Sequence, residues 1–134
     1  MERTTEGAGM AGWTADELDR LGREGELRIA GRRADDSLRE PVIIWAVRAG
    51  GALYVRSVRG ATGGWYRGVI ARHEGHIDSA GIERDVRFED VPVGDPVQDV
   101  LDRAYADKYG AGSSSVRAIT ADAARATTLK VVPR

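Results

Sequence analysis

Cysteine is absent from this 134-residue sequence, so disulfides and thiolate metal sites are excluded. No stretch approaches the run of about twenty apolar residues that a membrane-spanning helix requires. The N-terminus lacks the basic-then-apolar pattern of a secretory leader, and the cytoplasm is the expected location. Lysine is nearly missing, with two lysines against eighteen arginines. The formal net charge is only −1, so no general attraction to nucleic acid or to a membrane surface follows. A GxxxxGK[ST] phosphate loop and a GxSxG nucleophile elbow are missing too. What remains has the length of one ordinary domain with a modest core. Residues 1–12 are small, polar and glycine-containing, and are expected to form a flexible tail; 13–134 is expected to be a single domain.

One further absence is local. From Pro41 to His73 there is no aspartate or glutamate, yet Arg48, Arg56, Arg59, Arg67 and Arg72 all fall there. Within this basic island the stretch LYVRSVRGATGGWYRGVIAR reads as a strand, a glycine-rich turn and a short helix. An oxyanion needs fixed donors, and arginine offers a planar fork that can bind it in bidentate fashion. Glycines let backbone N–H groups approach closely, and a helix start adds more of them. Arg56, Ser57, Arg59, Gly60, Gly63, Gly64 and Arg67 are therefore the candidate anion-binding residues, with Trp65 and Tyr66 as flat surface for an aromatic ring. The competing reading is a solvated arginine face beside a tight turn. Nucleic acid is disfavoured, because the acidic flank at Glu83, Asp85, Glu89 and Asp90 interrupts any broad basic groove.

The remaining chain supplies a frame. Thr14 and Glu17 have capping-box spacing, with Trp13 and Leu18 placed for the hydrophobic staple, so a short helix follows Thr14 and ends near Gly22 and Gly25. Strands are expected at Glu26–Ala30, Leu53–Val58, His76–Ala80, Ile82–Phe88 and Leu129–Val132. The run VIIWAV, Val42–Val47, reads as a strand buried on both faces. Gly50-Gly51 and Gly81 mark hairpins. Asp95 and Pro96 open the strongest helix, with Val97, Val100, Leu101, Ala104 and Tyr105 on one face and Gly110 at its end. Asp99 and Arg103 read as a surface i, i+4 pair. Gly112–Ser115 reads as a flexible loop, and a short helix capped by Thr120 is expected over 121–126. Hairpin-linked strands with helices near the ends predict an antiparallel α+β domain or small barrel. His73 and His76 fall at a corner with no common ligand spacing, so no metal site is expected.

The run IWAVRAGGALYVRSVRGATGGWYRGVIARHEGHI, with WTADEL before it and YADKYG and TLKVVPR after it, resembles an uncharacterised bacterial family of small proteins. That family looks like a branch of the flavin-binding split-barrel superfamily, which includes pyridoxamine-phosphate-oxidase-like proteins and deazaflavin-dependent nitroreductases. The resemblance implies an α+β fold: a small antiparallel split β-barrel with flanking helices, forming a homodimer. It also implies a deazaflavin coenzyme or FMN, held through its phosphate and tail by Arg56, Ser57, Arg59 and Arg67, with Trp65 shaping the pocket. The implied activity is hydride transfer to a small apolar substrate. Tyr54, Tyr66 and Tyr109 are candidate proton donors. Gly68 departs from the pattern, standing where the nitroreductases carry asparagine in W-x-x-N-L. That departure keeps a second reading open, a cofactor-free small-molecule-binding protein on the same barrel.

Overall fold

Thr14 does what its spacing predicts. In a computed structural model that describes residues 12–134, it caps helix α1 (Ala15–Arg23). Its Oγ1 accepts from the Glu17 N–H at 3.0 Å, and Glu17 Oε1 accepts from the Thr14 N–H at 2.9 Å. Leu18 and Leu21 are buried on the inner side of α1. The Trp13 indole N–H donates to the Val131 carbonyl at 2.9 Å and ties the helix start to the last strand. The expected tail lies, except for Gly12, outside the described residues.

The described residues form seven strands: β1 (Leu27–Gly31), β2 (Val42–Ile44), β3 (Ala46–Ala49), β4 (Ala52–Val55), β5 (Glu74–Ser79), β6 (Ile82–Asp90) and β7 (Leu129–Pro133). They make one antiparallel sheet in the order β2-β1-β5-β6-β7-β4-β3. Its two outermost strands, β2 and β3, are separated in the chain only by Trp45. One bent run of chain thus supplies both edges, and the sheet curls into a nearly closed barrel. The hairpins fall at the predicted glycines: Gly50 has φ 60°, and Ala80 and Gly81 have φ 54° and 78°, as a type I′ turn requires.

Four helices follow α1: α2 (Gly64–Ile70), α3 (Val97–Tyr109), α4 (Ser114–Ile119) and α5 (Asp122–Arg125), with a 3₁₀ turn at Gly60–Thr62. One apolar cluster fills the barrel, with Leu27, Ile29, Leu53, Val55, Ile77, Val86, Phe88 and Leu129 among its members and α1 closing one end. A second lies between the outer face of β3–β4 and α3–α4, built on Val47, Tyr54, Leu101, Tyr105 and Ile119.

Several expectations need correction. Val42–Val47 is not a doubly buried strand. Val42 and Ile43 are 40% and 50% exposed, because β2 has a neighbour on one side only, while Ala46 and Val47 are buried. The strand expected to reach Val58 ends at Val55, where Arg56 turns inward. The expected loop at Gly112–Ser115 instead starts α4, since the Ser113 hydroxyl accepts from the Val116 N–H at 3.0 Å and caps it. Thr120 does not cap α5. Its hydroxyl donates back to the Val116 carbonyl at 2.8 Å, and Ala121 takes the cap position. On α3, Leu101 and Tyr105 are buried as predicted, but Gln98 is buried while Val100 stays exposed. Asp99 pairs with Arg125 at 3.2 Å rather than with Arg103.

Candidate functional site

Arg56 stands immediately after β4 and its side chain is fully buried. Its Nε–H donates to Thr128 Oγ1 at 3.1 Å. One terminal nitrogen donates to Asp102 Oδ1 at 2.6 Å and to the Ile119 carbonyl at 3.1 Å. The other donates to the carbonyl and the Oε1 of Gln98, at 3.1 and 2.8 Å. All the N–H groups that a guanidinium carries thus have acceptors inside the protein. The Tyr105 ring lies 5.4 Å from the guanidinium carbon and completes the cage. Asp102 also receives Arg125 at 3.4 Å, so two cations share one carboxylate. Gln98 is buried on α3 because it belongs to this network, which binds β4, α3, α4 and the segment before β7 into one unit.

Ser57 continues the turn inward. Its N–H donates to Thr127 Oγ1 at 2.8 Å, and its carbonyl accepts from the Gly60 N–H at 2.9 Å. The Ser57 hydroxyl is buried without a hydrogen-bond partner, against Gly63, where any side chain would collide with it. Gly60 has φ 68° and lies against Ala123, so both the backbone conformation and the space favour glycine there. Arg59 and Arg67 behave differently from Arg56. Both are exposed, and among the described residues neither side chain forms an ion pair or a hydrogen bond. Gly64 opens α2, where Trp65 and Tyr66 follow in an edge-to-face pair with centroids 6.1 Å apart. Both rings pack on the barrel cluster. Burial, and then the Asp90 carboxylate, push the Tyr66 hydroxyl above its ordinary range.

Beside this turn is a cavity of about 220 Å³ lined by Ile43, Ile44, Trp45, Arg56, Val58, Trp65, Ser115 and Ile119. Of the predicted site residues, Arg56 and Trp65 reach it. Ser57, Arg59, Gly60, Gly63, Gly64, Tyr66 and Arg67 form the adjoining turn and helix without lining it. Trp45 is held in the wall by stacking on Tyr109, with centroids 3.9 Å apart and planes 8° off parallel. Tyr109 is fixed in turn: its hydroxyl donates to the Gly25 carbonyl at 2.9 Å and accepts from the Ala46 N–H at 3.3 Å. Burial pushes that hydroxyl up to about 12. Neither Tyr109 nor Tyr54 lines the cavity.

Ile43, Val58, Ser115 and Ile119 carry no local signal that marks them as a pocket. They converge because β2 is bent out at Trp45 and α4 folds back over the turn. Arg39 lies outside the acid-free stretch and also belongs to this region. Its Cδ passes 2.7 Å from the place a Cβ on Gly68 would take, so the arginine fills the space over the helix that Gly68 leaves open. Its Nε is buried without an acceptor. The histidines lie elsewhere, His73 against Asp90 at 3.1 Å and His76 against Asp85 at 3.1 Å. Among the described residues no group of three or more histidine, aspartate or glutamate side chains is arranged to hold a metal ion.

The model of a bacterial family described as "Uncharacterized protein conserved in bacteria (DUF2255)" matches residues 17–131, and the chain belongs to that family. No curated protein matches the sequence. Among solved structures, the chain is similar to a pyridoxamine 5'-phosphate oxidase-like protein from Listeria innocua, with a TM-score of 0.57 at 9% identity over 87% of this chain and 88% of that one. It is also similar to an F420 reductase, with a TM-score of 0.51 at 19% identity over 87% of this chain and 90% of that one. A third is an FAD and heme binding protein from Mycobacterium smegmatis, with a TM-score of 0.51 at 16% identity, covering 89% of this chain and 65% of that one. At these identities the likeness is one of fold. It agrees with the antiparallel α+β split barrel expected from the sequence resemblance.

Proposed function

We propose that this member of the family binds a flavin-type cofactor, a flavin or a deazaflavin, and acts as an oxidoreductase on a small apolar substrate. The observation that carries the reading is an apolar, aromatic cavity beside two arginines that have no partner among the described residues. Trp45 and Trp65 give flat surface for a ring system, and Ile43, Ile44, Val58 and Ile119 add apolar wall. Arg59 and Arg67 would hold the anionic tail. Arg56 would act through position, because its occupied donors fix the turn that carries Ser57 and Arg59. Two of the fold neighbours are named for F420 and FAD, which supports a cofactor of this type. Such a cofactor, when bound, supplies hydride transfer; binding, orientation and exclusion of water fall to the protein. Tyr66 stays protonated at neutral pH and could donate a proton near Trp65.

The cavity is smaller than the range of about 300–1,000 Å³ usual for ligand sites, so one chain furnishes part of the site. Val42, Ile43 and Val58 are exposed at or beside its mouth. A second copy covering these side chains would enlarge and dry the site, and we take the working form to be a homodimer of one-domain chains in the cytoplasm. The near-neutral charge favours a small molecule over nucleic acid as the ligand.

The test is the absorbance spectrum of the purified protein, followed by fluorescence titration with FMN and with the deazaflavin cofactor. Saturable binding with a weaker affinity in Arg59→Ala supports the proposal; no binding of either at tens of micromolar sinks it. A second reading, cofactor-free binding of a small apolar molecule, draws on Arg56. The buried cation facing the cavity has no free donor for a phosphate, and the space is small. Binding of an apolar dye that FMN fails to displace would favour it.

A further inference from the structure

Lys108 is one of only two lysines in the chain and lies in the last turn of α3. It faces a second cavity, of about 390 Å³, between α1, β3 and α3, on whose wall Asp19, Arg23, Val47, Arg48 and Ala104 also stand. Its Nζ donates to the Ala46 carbonyl at 2.6 Å and sits 5.1 Å from the centroid of the Tyr109 ring. Among the described residues it has no carboxylate at ion-pair distance. Two acids stand on the cavity wall: Asp19, which is engaged by Arg48 at 2.5 Å, and the exposed Asp107, which makes no ion pair with Lys108. A half-buried amine without a counter-ion is costly to keep charged. Burial accordingly lowers its pKa to about 8, against a weaker opposing influence from Glu24. Arg23, at the same cavity, is exposed and has no partner among the described residues.

We propose that Lys108 is an acylation site, its amine taking an acyl group from a small activated donor with an anionic leaving group, an acyl phosphate or an acyl thioester. A neutral amine is the nucleophile, and desolvation is the usual route by which a lysine becomes one. The nitrogen lone pair attacks the acyl carbon and a C–N bond forms. The C–O bond to phosphate, or the C–S bond of the thioester, breaks, and its electron pair leaves with phosphate or thiolate. The proton lost by nitrogen passes to water, and no oxidation or reduction occurs. Arg23, which has no partner among the described residues, supplies positive charge where the leaving group departs.

The consequence reaches the first cavity. Lys108 and Tyr109 both grip Ala46, the residue after Trp45, and Trp45 stacks on Tyr109. Acylation removes the charge from the Lys108 nitrogen and adds bulk beside that carbonyl. It therefore loosens the hold on the cavity wall, and this site would modulate the ligand site without touching its ligand.

The full-length wild-type protein is treated with acetyl phosphate, and separately with trace acetic anhydride across a pH series, then digested and read by mass spectrometry. Lys108 should acetylate roughly tenfold faster than Lys130 at neutral pH. Its rate should reach half its maximum near pH 8. Acetylation should also change tryptophan fluorescence in the wild type and leave Lys108→Arg unchanged. Equal or faster labelling of Lys130 overturns the proposal. The same fluorescence change in Lys108→Arg overturns the link to Trp45. Neither outcome depends on whether a flavin binds.

Discussion

Arg56 and Arg59 are three residues apart in one basic stretch, yet they belong to two different regions. Arg56 lies in a buried hub where Gln98, Asp102, Ile119 and Thr128 take up its N–H groups. Arg59 sits with Arg67 on an open rim, where among the described residues nothing binds either side chain. The residues are chemically identical and the local sequence around them is alike. What separates them is the supply of acceptors, and those come from α3, α4 and the approach to β7, 42 to 72 residues further along the chain. The hub ties distant segments of the fold together; the rim is where we propose that a ligand's anionic tail is held.

The sharpest way to break this contrast is to truncate each arginine. Arg56→Ala leaves Asp102 with Arg125 alone, takes a donor from the Gln98 side chain and the Ile119 carbonyl, and should cost about 3–5 kcal/mol of stability in urea unfolding. A loss under about 1 kcal/mol would mean the cage is not what holds α3 to β4. Arg59→Ala and Arg67→Ala should unfold within about 0.5 kcal/mol of wild type. Each should nonetheless weaken FMN binding roughly tenfold, equivalent to ~1.4 kcal/mol, while riboflavin binding changes little. A rim arginine that proves as destabilising as Arg56 would erase the distinction. Within the hub, Thr128→Val removes one acceptor while keeping the shape, and should cost about 1 kcal/mol by thermal unfolding.

Two gentler probes address the edges of each region. Val58 is 52% exposed and lines the cavity. In the proposed homodimer, Val58→Asp should shift the molecular mass in sedimentation toward monomer at low concentration, with the circular dichroism unchanged. An unaltered sedimentation profile would detach the dimer from this face. On the far side, Lys108 is lowered to about 8 by burial, so the unfolded chain binds more protons than the folded one at higher pH. Stability from this group therefore rises as pH is raised from 8 toward 10 and is flat below 8. Lys108→Met should flatten that rise in pH-dependent unfolding. Tyr109, pushed up to about 12, acts in the opposite sense only above the ordinary tyrosine value of about 10.

Much of the frame was legible in the residues alone. The capping box at Thr14–Glu17, the alternation of Ile82–Phe88, the glycines at the hairpins and the acid at Asp95 act over a few residues. Physics on that scale is written in the sequence. Resemblance added the split barrel and the family. The cavity was not legible. Ile43, Val58, Ser115 and Ile119 meet only after β2 and β3 part at Trp45 and α4 folds over the turn. Gly112–Ser115 reads as a flexible loop because serine suits both a loop and a helix cap, and only the Val116 N–H decides between them.

By itself the sequence determined most of the strands, the hairpin turns and the starts of α1 and α3, and that a basic, acid-free stretch would sit at the centre of the chain. The tertiary structure alone decided which of those arginines remain available. A guanidinium is satisfied or free according to the acceptors that surround it in space, and distant segments bring those acceptors.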